Sequence, residues 1–332
     1  MPRSATPDCK HVSSMSWRGV PSIAAQVTDV MTGILEIVRI IAPADEALVL
    51  TPPVYPPFFK VAKTLGRTVV SAPLGADNRL DPATLEAAFA AATASGRRAV
   101  LLLANPHNPT GTVPSRAELG EVAGLARRYG VRVIADEIHA PLQMPTSTFT
   151  PYLTVSGTEP DFSVSSASKG WNLAGFKAGL IVPGADAATD LVTLSQREGN
   201  HPGHIGLIAH TAAYTHARPW LDAAVAGIDA NRHALTGLLW AHLPGARYCP
   251  PESTYLAWID CRELGMGDDP AQVFREQGRV ALSSGLDFGD GGAGYVRLNL
   301  ATSLAILAEA VARMAAARPQ AGSRPASVAT RR

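Results

Sequence analysis

Three segments of this 332-residue chain carry residues able to do chemistry, and each follows a short expected strand. Asn105-Pro106-His107-Asn108-Pro109-Thr110-Gly111 comes after AVLLLA, and Asp136-Glu137-Ile138-His139 after VRVIA. The third, SASKGWNLAGFK, holds Ser166, Ser168, Lys169 and Lys177. Together they supply an amide, a carboxylate, hydroxyls and two amines. That set suits pyridoxal phosphate, which needs a lysine for a Schiff base, an acid beside its ring nitrogen, and donors for its ring oxygen and phosphate. On this reading Lys169 forms the Schiff base and Asp136 keeps the ring nitrogen protonated. Asn108 donates to the ring oxygen, and Ser166, Ser168 and Lys177 hold the phosphate. Lysine is scarce: of 29 basic residues, 24 are Arg and five are Lys, at positions 10, 60, 63, 169 and 177. A solvated surface cation in this chain would ordinarily be Arg, so a lysine in a Ser-Ala-Ser-Lys loop calls for a specific role.

These loops need a frame that brings them to one edge. Short apolar strands are expected at 47–51, 68–71, 99–104, 131–135, 162–165 and 179–182, separated by helices. Asp29 is placed to cap a helix carrying Val30, Ile34, Ile37, Val38 and Ile41 at helical spacing. Asp81-Pro82 opens another helix, and Ser115-Arg116-Ala117-Glu118 is a capping box for a helix ending near Gly130. Fully apolar strands alternating with helices predict an α/β fold with a mostly parallel sheet covered on both faces. Ligands of such sheets sit at the carboxyl ends of the strands. Helices fill about 186–241. Strands at 255–260, 280–282 and 295–300, with helices near 270–277 and 303–317, predict a smaller C-terminal α+β domain. The expected division is an atypical segment at 1–26, a large cofactor-binding domain at 27–225, a small domain at 226–318 and a disordered Pro/Ser/Arg-rich tail at 319–332.

Composition narrows the function. Hydrophobic residues make up 46% and charged residues 17%, and net charge is +1. Nothing here marks a nucleic-acid or anionic-membrane partner. DEIH also matches a helicase box, but the chain has no GxxxxGK[ST] phosphate loop. His201, His204, His210 and His216 have no metal-site spacing. The three cysteines, Cys9, Cys249 and Cys261, form no CxxC, and a reducing cytoplasm fits. No apolar run reaches the roughly 18 residues of a membrane span, and 1–17 lacks a signal-peptide core.

The motifs NPHNPTG, DEIH and SASKGWNLAGFK resemble the fold-type-I pyridoxal phosphate enzymes of the class I/II aminotransferase superfamily, and within it the MalY/PatB branch of cystathionine β-lyase-like C–S lyases. The resemblance runs from about Thr28 to Met314 and includes TPPVYPPF, Gly203-His204-Ile205-Gly206, STYLAWIDC and YVRLNLA. It implies that Tyr55 stacks on the cofactor ring and that His139 adds a ring-oxygen contact. Arg297 would bind the substrate α-carboxylate, and the amides of Val30 and Met31 would complete the phosphate cup. It implies a homodimer acting on a small amino acid by α,β-elimination, releasing a thiol, pyruvate and ammonia. The alternatives are an aminotransferase, which shares the site residues, or a non-catalytic relic. The chain also departs from the family. Residues 1–26 do not resemble the usual N-terminal arm, so a shortened chain and a weaker dimer are expected. Asp29 brings a negative charge to the phosphate cup, Pro43-Ala44-Asp45 replaces a Pro-Gly-Asp, and Pro141 stands where many relatives have an acid.

Overall fold

The run AVLLLA becomes a strand buried along its whole length, and the reason is visible on its two faces. Val100, Leu102 and Ala104 pack into one apolar cluster, while Ala99, Leu101 and Leu103 pack into another. A period of two thus divides a continuous apolar run between two cores. The computed structural model describes residues 24–42, 46–195 and 202–318.

In chain order the large part comprises β1 (Ala25–Val27), α1 (Val30–Ile41), β2 (Ala47–Leu50), α2 (Pro56–Leu65), β3 (Val69–Ser71) and α3 (Pro82–Ala92). It continues with β4 (Ala99–Ala104), α4 (Arg116–Tyr129), β5 (Val131–Asp136), β6 (Phe162–Ser165), the one-turn α5 (Ala167–Gly170) and β7 (Gly179–Pro183). Three helices follow: α6 (Ala188–Ser195), α7 (His204–His216) and α8 (Arg218–His242). The small part holds β8 (Arg247–Tyr248), β9 (Leu256–Asp260), α9 (Pro270–Gly278), β10 (Ser283–Ser284), β11 (Tyr295–Asn299) and α10 (Leu304–Ala316).

The first sheet runs β1-β7-β6-β5-β4-β2-β3. Its centre is parallel; β7 and β1 join antiparallel at one edge. From β2 the chain goes outward to β3 and then returns to β4 on the other side. The strand order therefore reverses between β2 and β4, where ligand crevices form. Helices α1 and α2 cover one face, and α3 and α4 cover the other. The second sheet, β10-β11-β9-β8, is antiparallel. It shares a third core with α7 to α10.

The expected caps are all in place. Asp29 accepts the Thr32 N–H, Asp81 accepts the Ala83 N–H, and both arms of the Ser115–Glu118 box form. One strand differs from expectation. Residues 280–282 are not a strand: α9 ends at Arg279 in the left-handed region, and Val280 and Leu282 pack against the third core as irregular chain. Pairing begins at Ser283, opposite Arg297. The 225/226 division falls inside α8, which links the two parts. The expected tail, Pro43-Ala44-Asp45 and most of 1–26 lie outside the described residues. Among the described residues no helix is long and apolar enough to cross a membrane.

Candidate active site

Asp136 is the last residue of β5, and its carboxylate is buried. It accepts one hydrogen bond, from the Ile138 N–H at 3.1 Å. Burial pushes its carboxyl up to about 7, against the Ile138 N–H and the nearby Lys169 charge, which both pull it down. Among the described residues no cation pairs with it at ion-pair distance. A buried carboxylate so placed is costly unless a cation meets it.

Lys169 stands on α5, whose start is built by serines. Ser166 Oγ accepts the Ser168 N–H at 3.1 Å and donates to the Ala178 carbonyl at 2.6 Å. Its single proton is thus used, so Ser168 Oγ donates to Ser166 Oγ across 2.5 Å. Gly170 is required here: a Cβ would lie 2.9 Å from the Pro141 Cβ. Pro141 therefore serves as a wall for the lysine turn.

Tyr55 follows β2 and opens α2, half-buried, with its ring edge-on to Phe58 at 5.9 Å. Its phenol is raised mainly by burial and feels the charges of Lys169, Asp136 and Arg297. Asn108 is buried in the loop after β4, and its Oδ1 accepts from Arg297 Nη1 at 2.8 Å. With the carbonyl taken, the amide nitrogen is the end left to donate. Arg297 sits on β11 in the small part, donates to Ser283 Oγ at 3.3 Å, and lies 4.9 Å above the Phe288 ring. It joins the two parts across the site. His139 is buried and its Nδ1 has no partner among the described residues. Burial first, then Lys169 and Arg297, push its imidazole down to about 3, so it is neutral.

The phosphate-cup residues gather at the start of α1. Val30 and Met31 are its first two residues, whose N–H groups have no intrahelical partner. A Cβ on Gly179 would lie 3.2 Å from both the Asp29 carbonyl carbon and the Val30 nitrogen, so β7 is pressed against this helix start. Lys177, two residues earlier, is exposed and left-handed at φ 50°. Its Nζ lies 3.2 Å from Asp29 Oδ2.

Sequence reasoning left Tyr255 without a role. It stands edge-on to His139 at 5.8 Å and within the field of Arg297. The residue before it, Thr254, is fully buried and strained at φ 73°. The Thr254 N–H donates to the Leu142 carbonyl, and its Oγ1 accepts from the Leu256 N–H. Gly111, at φ 71°, accepts N–H bonds from Glu252 and Ser253, and a Cβ there would fall 2.3 Å from Pro251. The motif STYL was visible as a motif; the backbone strain that aims Tyr255 was not.

A cofactor with a cationic ring nitrogen, an aldehyde, a ring oxygen and a phosphate fits these groups. Among the described residues Asp136 has no cation at ion-pair distance, and the Asn108 amide nitrogen and His139 Nδ1 have no partner; Lys169 supplies an amine. At the start of α1, Val30 and Met31 offer N–H groups, and Lys177 brings an amine that is paired with Asp29. Two features run against the fit: the charge of Asp29, and the hydroxyl protons of Ser166 and Ser168, which are already given to the Ala178 carbonyl and to Ser166 Oγ.

Residues 26–314 match the aminotransferase class I and II family, and the chain belongs to it. A Mycobacterium leprae (strain TN) protein named "Putative cystathionine beta-lyase" is 48% identical over 88% of this chain and 77% of its own. Cystathionine beta-lyase PatB of Bacillus subtilis (strain 168) is 31% identical over 91% and 79%. A Corynebacterium diphtheriae structure described as a "putative plp-dependent beta-cystathionase" superposes with TM-score 0.83 at 34% identity, covering 90% of this chain and 78% of that one.

Proposed function

We propose that this chain is a pyridoxal phosphate-dependent C–S β-lyase that cleaves cystathionine or a cysteine S-conjugate by α,β-elimination. The observation that carries the reading is Asp136: a buried carboxylate with one N–H bond, at the carboxyl end of a parallel strand and within the field of Lys169. The names of the 48% and 31% identical relatives favour the lyase over the aminotransferase.

Bound here, pyridoxal phosphate supplies the sink for the electron pair released when a Cα–H bond breaks. Asp136 holds the proton on the ring nitrogen and so keeps that sink open. Asn108, through its amide nitrogen, and His139, through Nδ1, would meet the ring oxygen. Tyr55 would cover the ring and exclude water. Arg297 grips the substrate α-carboxylate and, through Asn108, couples that grip to the large part. Lys169 Nζ takes the Cα proton as general base. The Cβ–S bond then breaks, and water completes the balance: cystathionine plus water gives homocysteine, pyruvate and ammonia. A homodimer is part of this reading, since the resemblance implies one.

Release of pyruvate from L-cystathionine with no keto acid added tests the proposal. Turnover seen only with 2-oxoglutarate, yielding glutamate, would instead assign an aminotransferase.

A further inference from the structure

The start of α1 carries one residue that the proposed cofactor does not explain. Asp29 spends one carboxylate oxygen on the Thr32 N–H at 2.8 Å and aims the other at Lys177 Nζ, 3.2 Å away. A single acid thus takes a first-turn N–H donor and the cation of the cup. Burial pushes its carboxyl up, but the Thr32 N–H and Lys177 outweigh that and hold it below the usual carboxylate range. The carboxylate is therefore ionised at neutral pH. The close packing of Gly179 on Asp29 and Val30 keeps the two backbones together, so the pair cannot separate without side-chain movement.

Resting on the cofactor reading above, we propose that Asp29 sets cofactor affinity by opposing the phosphate: it neutralises Lys177 and places a like charge at the cup. The protein then holds pyridoxal phosphate with less advantage over unphosphorylated pyridoxal than the cup's donors alone would give. A dianion arriving at α1 gains the helix start, but it must draw Lys177 away from Asp29 and tolerate the carboxylate beside it.

Asp29→Asn separates charge from capping, because Asn keeps a side-chain oxygen for the Thr32 N–H. Wild type and variant, as full chains, are titrated with pyridoxal phosphate and with pyridoxal, and each Schiff base is followed by its visible absorbance. The expected result is a rise on the order of tenfold in the affinity ratio of phosphate form to pyridoxal in Asp29→Asn. The whole change comes from the phosphorylated ligand, and it shrinks in about 1 M salt, where screening is strong. An unchanged or lower ratio, or equal tightening of both aldehydes, overturns the proposal. Asp29→Ser, which also keeps a capping oxygen, serves if Asp29→Asn folds poorly. Wild type that binds neither aldehyde through Lys169 removes the cofactor reading and this proposal together; wild type that binds both, with no effect of Asp29, removes only the latter.

Discussion

Asp136 and Glu137 are sequence neighbours at the end of β5. Both are buried, and burial pushes both carboxyls up to about 7. Their surroundings differ. Glu137 accepts the Tyr152 N–H at 2.7 Å, the Ser163 hydroxyl at 2.6 Å and the Asn105 amide at 3.2 Å. Among the described residues the Asp136 carboxylate accepts only the Ile138 N–H. On one side of the strand end, fixed donors replace water; on the other they do not, and a lysine waits nearby. The difference separates structure from function: a carboxylate with its donors in place stitches loops together, while one without them is set for an incoming cation.

Exchanging the two acids gives the largest effects. Asp136→Asn should fold, because Asn keeps an acceptor for Ile138, yet lose at least about 10²–10³-fold in lyase turnover. Near-wild-type rates would remove Asp136 from the chemistry. Glu137→Gln should do the reverse. It replaces one oxygen by an amide nitrogen, so either the Ser163 hydroxyl must turn to accept or the Tyr152 and Asn105 donors lose their acceptor, costing roughly 1–3 kcal/mol of stability in urea unfolding, while the folded fraction turns over normally. A stable but inactive Glu137→Gln protein would break the comparison.

The pH dependence sharpens it. A carboxyl raised to about 7 favours the folded state fully below its unfolded value near 4, and that contribution is lost as pH rises through 7. The protein without added cofactor should therefore be less stable at pH 8 than at pH 5 from these groups. Pyridoxal phosphate brings a cation to Asp136, so its stabilising effect on the melting temperature should grow over the same range. That growth should flatten in Asp136→Asn; an equally steep profile would contradict the pairing. Glu118 marks the solvent-side limit. Arg79 grips it at 2.8 and 2.7 Å and reaches Glu252 at 3.4 Å. Burial raises its carboxyl, but Arg79 and Ser115 outweigh that and lower it, so its contribution is present at neutral pH and lost in acid. Arg79→Met should cost no more than about 1 kcal/mol at pH 7. A loss as large as that of Glu137→Gln would show the surface network to be more than a clamp.

Much of this was legible in the sequence because it is local. Asp29, Asp81-Pro82 and Ser115-Glu118 announce their helices within four residues, and AVLLLA and VRVIA announce buried strands. The loops after those strands then share an edge by topology alone. Illegible were the features set by distant partners. β1 is three residues long and exists by pairing with β7. The segment at 280–282 is apolar because it packs, and the strand begins only where Ser283 meets Arg297. Tyr255 depends on a strained Thr254 held by Leu142, over a hundred residues away. The Asp29–Lys177 pair spans 148 positions, so the acid was visible but its direction was not.

The most direct test is chemical. The purified protein is incubated with pyridoxal phosphate, reduced with borohydride, digested and mapped by mass spectrometry. Of the five lysines, Lys169 alone should carry the reduced pyridoxyl group, and Lys169→Ala should carry none. A label at Lys10, Lys60, Lys63 or Lys177 in its place, or no label at all, would contradict the site built around Asp136.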